Sequence, residues 1–268
     1  MTPQEEKGFK PDFENRGFWE YYKDLERQFE NFLVYVPYFE GNEDTYSFRL
    51  ANILLAIGAH IDSALKKIAE DPSFSCKYPA MIKPIVKKGE HKGELRDQEV
   101  MDYYPISEEY ILYEMNVVFK CLPKRENVLP FKEYRKELGK VPYWWTAYNH
   151  VKHFFSEDFK QANLRTVRDA LAGAFLLNVI HEPAALQLFE YGLLKPIYPQ
   201  GATFTQQLYD TFRGRDLIKT RPLNPDFKPI EDAFTIETPL FSFDYLEAKK
   251  LLEAQGKYRK HEPTQITK

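Results

Sequence analysis

The residue types best suited to chemistry are concentrated in one short stretch of the chain, residues 142–153. Asn149 and His153 are four positions apart, so on a helix both side chains lie on one face, with Trp145 and Lys152 beside them. A histidine exchanges protons near neutral pH, and a lysine attracts phosphate. The spacing therefore predicts a patch that acts on a phosphodiester; the alternative is an ordinary polar helix surface with a hydrogen-bonded histidine.

The other side of this helix must enter a core. Trp144, Tyr148, Val151 and Phe155 fall in one arc of a helical wheel. The wheel leaves Trp145 outside that arc, at the border of the polar patch. Because a large exposed ring is typical of an interaction surface, we expect Trp145 to contact RNA or another protein.

A longer pattern continues beyond this helix, with Trp145, Tyr148-Asn149 and Lys152-His153 followed by Ala162-Asn163-Leu164 and an apolar run over 167–177. It resembles the second half of a HEPN domain, of the kind found in toxin and phage-defence systems. The amphipathic stretch 48–68 resembles the first half of that domain. The resemblance spans about residues 46–181, and its specific part is 144–177.

HEPN domains are all-helical bundles, usually dimeric, and many are metal-independent ribonucleases. In those enzymes an arginine, a polar residue and a histidine form a composite site across the dimer interface. Here Asn149 matches the polar position and His153 the histidine, while Tyr148 stands where the arginine would be. The resemblance implies a homodimer, with Trp145 covered by the second subunit, and it implies no cofactor.

Two functions follow from the resemblance and stay open at this point. In a ribonuclease, His153 would be the general acid or base at the ribose 2′-hydroxyl, Asn149 would orient it and Lys152 would supply charge. Lys152, Arg165 or Arg168 would then stand in for the missing arginine, and the two arginines would contact the RNA. In a non-catalytic module, the same face would bind RNA, a nucleotide or a protein partner, and the tyrosine at 148 favours this alternative.

A metal site is a third, minor alternative. His150 and His153 are three residues apart, and His181 and Glu182 follow at the end of the next helix. Three positions only roughly share a helix face, and no Glu-x-x-His pair accompanies them. The sequence therefore predicts no metal ligand set.

A second basic cluster lies further along the chain, where Arg213 and Arg215 alternate with aromatic residues. Interleaved cations and rings suit single-stranded RNA, since bases stack on rings and phosphates meet cations. Nearby aspartates dilute the charge, so a solvated loop is the alternative. The predicted RNA-binding residues are thus Trp145, Arg165, Arg168, Arg213 and Arg215.

The elements that must position these residues are mostly helical. Apolar residues at three- and four-residue steps predict one helix within the first forty residues, a second over about 50–68, a third over 143–155 and a fourth over about 161–180. The fourth is apolar nearly all round and is expected to be central. One or two short strands fit 234–243, limited to an edge by Pro239, and a last short helix fits 244–254.

The predicted fold is mainly α. A HEPN-like helical bundle covers 42–195, after an N-terminal helical segment at 1–41 and before an irregular C-terminal extension with a basic tail at 196–268. The 268 residues carry a formal net charge of -3, which excludes a surface that is basic throughout. Two cysteines cannot build a disulfide framework, and no apolar run approaches the length of a membrane span, so a cytoplasmic protein is expected.

Overall fold

A computed structural model of the protein describes residues 13–86, 95–96, 99–121, 125–181, 184–185, 188, 192–193, 196–197 and 235–256. Helices predominate, which confirms a mainly α protein. The α-helices are α1 (Phe13–Leu33), α2 (Phe48–Glu70), α3 (Pro72–Ser75), α4 (Tyr104–Tyr110), α5 (Tyr143–His153), α6 (Phe155–Asp158), α7 (Leu164–Ile180) and α8 (Tyr245–Ala254). Short 3-10 turns cover Pro79–Ile82, Val100–Tyr103, Leu112–Glu114, Lys136–Leu138 and Phe159–Gln161.

The strands are short and antiparallel. They are β1 (Ile85–Val86), β2 (Leu95–Arg96), β3 (Val117–Phe119), β4 (Glu126–Val128), β5 (Pro196–Ile197), β6 (Thr235–Glu237) and β7 (Phe241–Asp244). β1 pairs with β2, and the other five form one sheet in the order β4-β3-β7-β6-β5. The prediction that Pro239 limits this region to a sheet edge is wrong, because β7 is the middle strand. Pro239 lies in the turn between β6 and β7, where it has no ladder hydrogen bond to donate.

The centre of the fold is the pair α2 and α7, which pack along each other. The Ser47 hydroxyl accepts a hydrogen bond from the Leu50 N–H at 3.1 Å and caps α2, and the Asn163 side chain caps α7 in the same way. Every residue of α7 from Thr166 to Ile180 is buried, as predicted for a central helix. α5 lies across both α2 and α7, so its exposed face is held on a rigid base.

Both ends of the described chain contribute to the same core. α1 buries Trp19, Tyr22, Leu25 and Phe29 against it, and the C-terminal hairpin buries Ile236, Phe241 and Phe243. Residues 235–254 are therefore regular and packed, in contrast to the irregular extension expected from 196 onward. The tail at 257–268 and the segment 201–234 lie outside the described residues.

By length and composition alone, α2 could cross a membrane. The sequence predicts no such span because polar residues interrupt every apolar run in this helix. In this fold 56% of its most apolar window is buried inside the protein. The apolar arc Leu50, Ile53, Leu54, Ile57 and Ile61 faces the core. α2 thus packs as the core helix of a soluble protein does.

Candidate functional site

α5 is held in place by three aromatic residues on its inner side. The Trp144 indole is fully buried, and its Nε1–H donates to the Pro130 carbonyl at 2.6 Å. The Tyr148 ring lies directly on Gly58 of α2, where an added Cβ would be 2.3 Å from the ring. Tyr148 is therefore a core residue, as the helical wheel predicts. It provides neither the positive charge nor the solvent exposure of the arginine found at this position in HEPN ribonucleases.

Trp145 is not where the sequence predicts. Its side chain is 6% exposed, and its ring centroid lies 4.9 Å from that of Tyr148 and 6.0 Å from that of Trp144. Because α5 packs closely against both α2 and α7, Trp145 at the border of the predicted core arc is buried as well. The indole is covered within one chain, so it neither requires a second subunit nor offers a face to a base.

The predicted polar patch does form at the C-terminal end of α5. Asn149 is half-buried, while Lys152 and His153 are exposed. The Lys152 Nζ lies 5.5 Å from the centroid of the Tyr148 ring, and the His153 ring lies 6.5 Å from that of Phe154. Tyr143, Thr146 and His150 continue the exposed side of the helix. The three predicted catalytic residues are therefore neighbours on the helix surface, with Lys152 and His153 open to solvent and Asn149 partly covered.

A cluster of rings beside this patch was missed by the sequence reasoning. It consists of Tyr46, Phe48, Phe155 and Phe159, whose rings contact one another, together with Phe154, which precedes Phe155 in the chain and whose ring contacts His153 instead; these five residues are named here the aromatic surface. The Phe48 ring stacks on Phe159 with centroids 4.8 Å apart and on Phe155 with centroids 5.9 Å apart. Phe48 is 62% exposed and Phe154 56%, and Phe155, predicted to be core, is only partly buried. The Phe154-Phe155 pair directly after His153 was the available signal.

The two arginines proposed to replace the missing one are both paired with carboxylates. Arg168 is 6% exposed; its Nε donates to Asp169 Oδ1 at 2.6 Å and its Nη1 to Glu126 Oε2 at 2.7 Å and to the Tyr38 hydroxyl. Burial by itself lowers the pKa of this guanidinium, but the charge and hydrogen bond of Asp169 together with the charges of Tyr38 and Glu126 outweigh burial, so the pKa of Arg168 is above its ordinary value. Arg168 is therefore a buried structural cation, not the surface RNA contact that was predicted.

Arg165 is half-exposed and forms an ion pair with Glu43. That pair joins the start of α7 to the loop before α2, where the Arg165 N–H also donates to the Glu43 carbonyl at 3.1 Å. Of the remaining predicted RNA contacts, Arg213 and Arg215 lie outside the described residues.

The histidines of the metal alternative have separate surroundings. His150 Nδ1 is 2.9 Å from Gln161 Nε2, whereas the buried His181 has its Nδ1 2.8 Å from the Tyr110 hydroxyl. Among the described residues no group of three or more histidine, cysteine, aspartate or glutamate side chains is placed to hold a metal ion. Glu182 lies outside the described residues.

An open groove runs beside the N-terminal half of α5. It has two adjoining parts of about 680 and 700 Å³, and both are lined by Glu133 and Tyr143. The first part extends to Thr146, Gln161 and Arg165. The second part is lined by Asn116, Asn127, Lys132, Arg168 and Asp169, among others. Donors and acceptors are mixed in both parts, which suits a polar ligand.

Comparisons with known proteins give no further guide. The chain matches no known protein family, no curated protein and no solved structure.

Proposed function

We propose that this protein binds single-stranded RNA at the C-terminal end of α5, on a HEPN-like bundle made of α2, α5 and α7. The observation that carries the proposal is the aromatic surface, with the exposed rings of Phe48 and Phe154, next to Lys152 and His153. A base stacked on an aromatic side chain contributes about 1–3 kcal/mol. Such a cluster of exposed rings on a soluble protein is a mark of an interaction site.

Positive charge for the phosphates is available around these rings. Arg49 follows Phe48 on α2, and Lys152 and Lys160 flank the Phe154-Phe155 pair; all three are exposed. Within the described part of the chain no carboxylate forms an ion pair with any of them, in contrast to Arg165 and Arg168. Rings interleaved with free cations are the arrangement that single-stranded nucleic acids favour.

Binding is proposed ahead of cleavage because the charge needed for catalysis is missing. Tyr148 occupies the arginine position and is packed on Gly58, while Arg168 is buried against Asp169. Lys152 is then the cation left to stabilise a pentavalent phosphate. A metal-independent ribonuclease is the second candidate, favoured by the exposed His153 one helical turn from Asn149, and its product would be a 2′,3′-cyclic phosphate.

Fluorescence anisotropy with a labelled single-stranded RNA of mixed sequence tests the proposal. Phe154→Ala is expected to weaken binding by about 5- to 100-fold, from the loss of one stacked base. Lys152→Ala should weaken it less and reduce the slope of log affinity against log salt by about 0.7, one phosphate contact. The matched controls are Tyr35→Ala, an aromatic residue 85% exposed beyond the end of α1, and Lys23→Ala on α1.

Two results would overturn the proposal: wild-type protein that does not bind at low salt, or controls that weaken binding as much as the site variants. A homodimer formed through the aromatic surface would instead appear in sedimentation as a dimer that Phe48→Ala dissociates. Cleavage by the wild type that is unchanged by EDTA and lost in His153→Ala would move the ribonuclease to first place.

A further inference from the structure

The second part of the groove is lined by polar side chains from separate segments of the chain. Asn116 lies just before β3, Asn127 lies on β4, and Lys132 and Glu133 follow further along. Their amide, ammonium and carboxylate groups can donate and accept hydrogen bonds, so a ligand with a mixed hydrogen-bonding edge suits them.

A free carboxylate stands at the junction of the two parts. Glu133 is half-buried and lines both, and within the described chain its carboxylate accepts no hydrogen bond. The neighbouring Asp169 is already used on both oxygens: Oδ1 accepts from Arg168 and Oδ2 from the Tyr143 hydroxyl, both at 2.6 Å. At the junction of the two parts, Glu133 is therefore the carboxylate with two oxygens available to a ligand.

A ring and a cation complete the surroundings of Glu133. Tyr143 is 43% exposed, and the hydrogen bond from its hydroxyl to Asp169 holds the ring at the junction. Lys132, next to Glu133 in the chain, is exposed and lines the second part. The groove thus offers a stacking face, a two-oxygen acceptor and a donor within one cavity of about 700 Å³.

We propose that this part of the groove binds guanine, as a base-specific pocket at the N-terminal half of α5, the helix whose C-terminal end carries the RNA-binding face. Guanine has two adjacent donors on its Watson–Crick edge, N1–H and the N2 amine, which match the two oxygens of Glu133. Its O6 and N7 accept from lysine or arginine, the commonest specific contact to this base, and Lys132 is the available donor. The ring stacks on Tyr143.

The other bases fit this set of groups less well. Adenine presents N1, an acceptor, toward a carboxylate, and uracil has one donor flanked by two carbonyl oxygens. A carboxylate that a bound base covers while facing an acceptor loses hydration without compensation, so a base with the wrong hydrogen-bonding edge binds less well. The proposal rests on the proposed function, because it names the base that the RNA-binding surface selects.

The test compares three labelled RNAs that differ at one position of a uridine strand, which carries guanosine, inosine or adenosine. Inosine lacks only the N2 amine, so wild-type protein should bind the inosine strand about 10-fold or more weakly than the guanosine strand. Glu133→Gln should lower the affinity for the guanosine strand to that for the adenosine strand. Glu137→Gln is the matched control, an exposed glutamate four residues on, and should preserve the preference.

The outcomes separate the two proposals. If wild-type protein binds none of the strands, the proposed RNA-binding function fails. If it binds all three equally, RNA binding stands and the guanine pocket is overturned. Should Glu133→Gln not fold by circular dichroism, the inosine comparison on the wild type alone decides, since it changes only the RNA.

Discussion

At the scale of single residues, burial decides which ionisable groups are available at the surface and which serve the core. His60 is 3% exposed, and its Nε2 accepts from the Asn178 Nδ2 at 3.1 Å. The rings of Phe18 and Tyr21 pack on it with centroids 5.3 and 5.6 Å away. Burial lowers the pKa of His60 to about 4, so the imidazole is neutral in the folded protein at physiological pH.

This shift predicts a loss of stability in acid. Between pH 6.5 and about pH 4, the His60 imidazole is protonated in the unfolded chain but stays neutral in the folded protein. The stabilising contribution is thus fully present above pH 6.5 and is lost as pH falls toward 4, by up to about 3 kcal/mol. His60→Gln keeps an acceptor for Asn178 and does not titrate, so urea unfolding at pH 7 and pH 4.5 should show a smaller loss in the variant. An equal loss would contradict this account.

Among the helices, the crossing of α2 and α5 determines where the aromatic surface lies. The Tyr148 ring occupies the space that a side chain at 58 would need, and this close approach brings α5 onto α2. The same crossing lets Phe155, just beyond α5, stack on Phe48 at the start of α2. The aromatic surface therefore depends on a glycine in the middle of a long helix.

A pair of glycine substitutions tests this crossing. Gly58→Ala should destabilise the fold by about 1–3 kcal/mol because Tyr148 must move, although alanine is the better helix former by about 1 kcal/mol. Gly17 on α1 has no atom within 4 Å of an added Cβ, so Gly17→Ala should stabilise the protein slightly. Denaturant midpoints of the two variants measure the difference. A Gly58→Ala protein as stable as Gly17→Ala would mean that the helices do not meet as described.

The main helices could be predicted from the sequence because each is long and periodic. α2 and α7 were identified by their apolar arcs, and the central position of α7 followed from its apolar residues on all sides. β3 and β4 were missed, since three residues are too few to show an alternating pattern. The role of β7 was misjudged because Pro239 falls in a turn that the sequence alone does not locate.

The candidate site was predictable only where spacing along one helix suffices. Asn149, Lys152 and His153 lie together because helical geometry requires it. The exposure predicted for Trp145 is wrong because a helical wheel gives the direction of a side chain around the helix and not how closely neighbouring elements cover that helix. The stacking of Phe48 on Phe159 joins residues more than a hundred positions apart, and no local pattern carries that information.

At the scale of the whole molecule, one buried carboxyl group joins the two ends of the chain. Glu26 of α1 accepts hydrogen bonds on Oε1 from the Thr238 hydroxyl at 2.5 Å and from the Leu240 N–H at 2.9 Å. Burial raises the pKa of Glu26 above its ordinary value of 4.5. A raised carboxyl pKa gives stability that is complete below pH 4.5 and is lost as pH rises through the folded pKa, opposite to His60.

Variants at this position separate the hydrogen bonds from the charge. Glu26→Ala leaves the buried Leu240 N–H unpaired and leaves the Thr238 hydroxyl to donate over the longer distance of 3.4 Å to the Phe241 carbonyl, so it should lower the free energy of unfolding by about 2–5 kcal/mol. Glu26→Gln retains the Oε1 acceptor without ionising, so it should be at least as stable as the wild type at neutral pH and lack this part of the pH dependence. Urea unfolding of both variants at pH 5 and pH 8 provides the measurement. A Gln variant as unstable as Ala would show that α1 is not joined to the hairpin through this oxygen.

Photo-crosslinking of the wild-type chain to a single-stranded RNA that contains thiouridine, with the linked peptides identified by mass spectrometry, tests RNA binding at the aromatic surface. Stacked bases crosslink to the rings they touch, so adducts are expected on the exposed rings of Phe48 and Phe154. Crosslinks confined to other parts of the chain, with both of these phenylalanines unmodified, would contradict it.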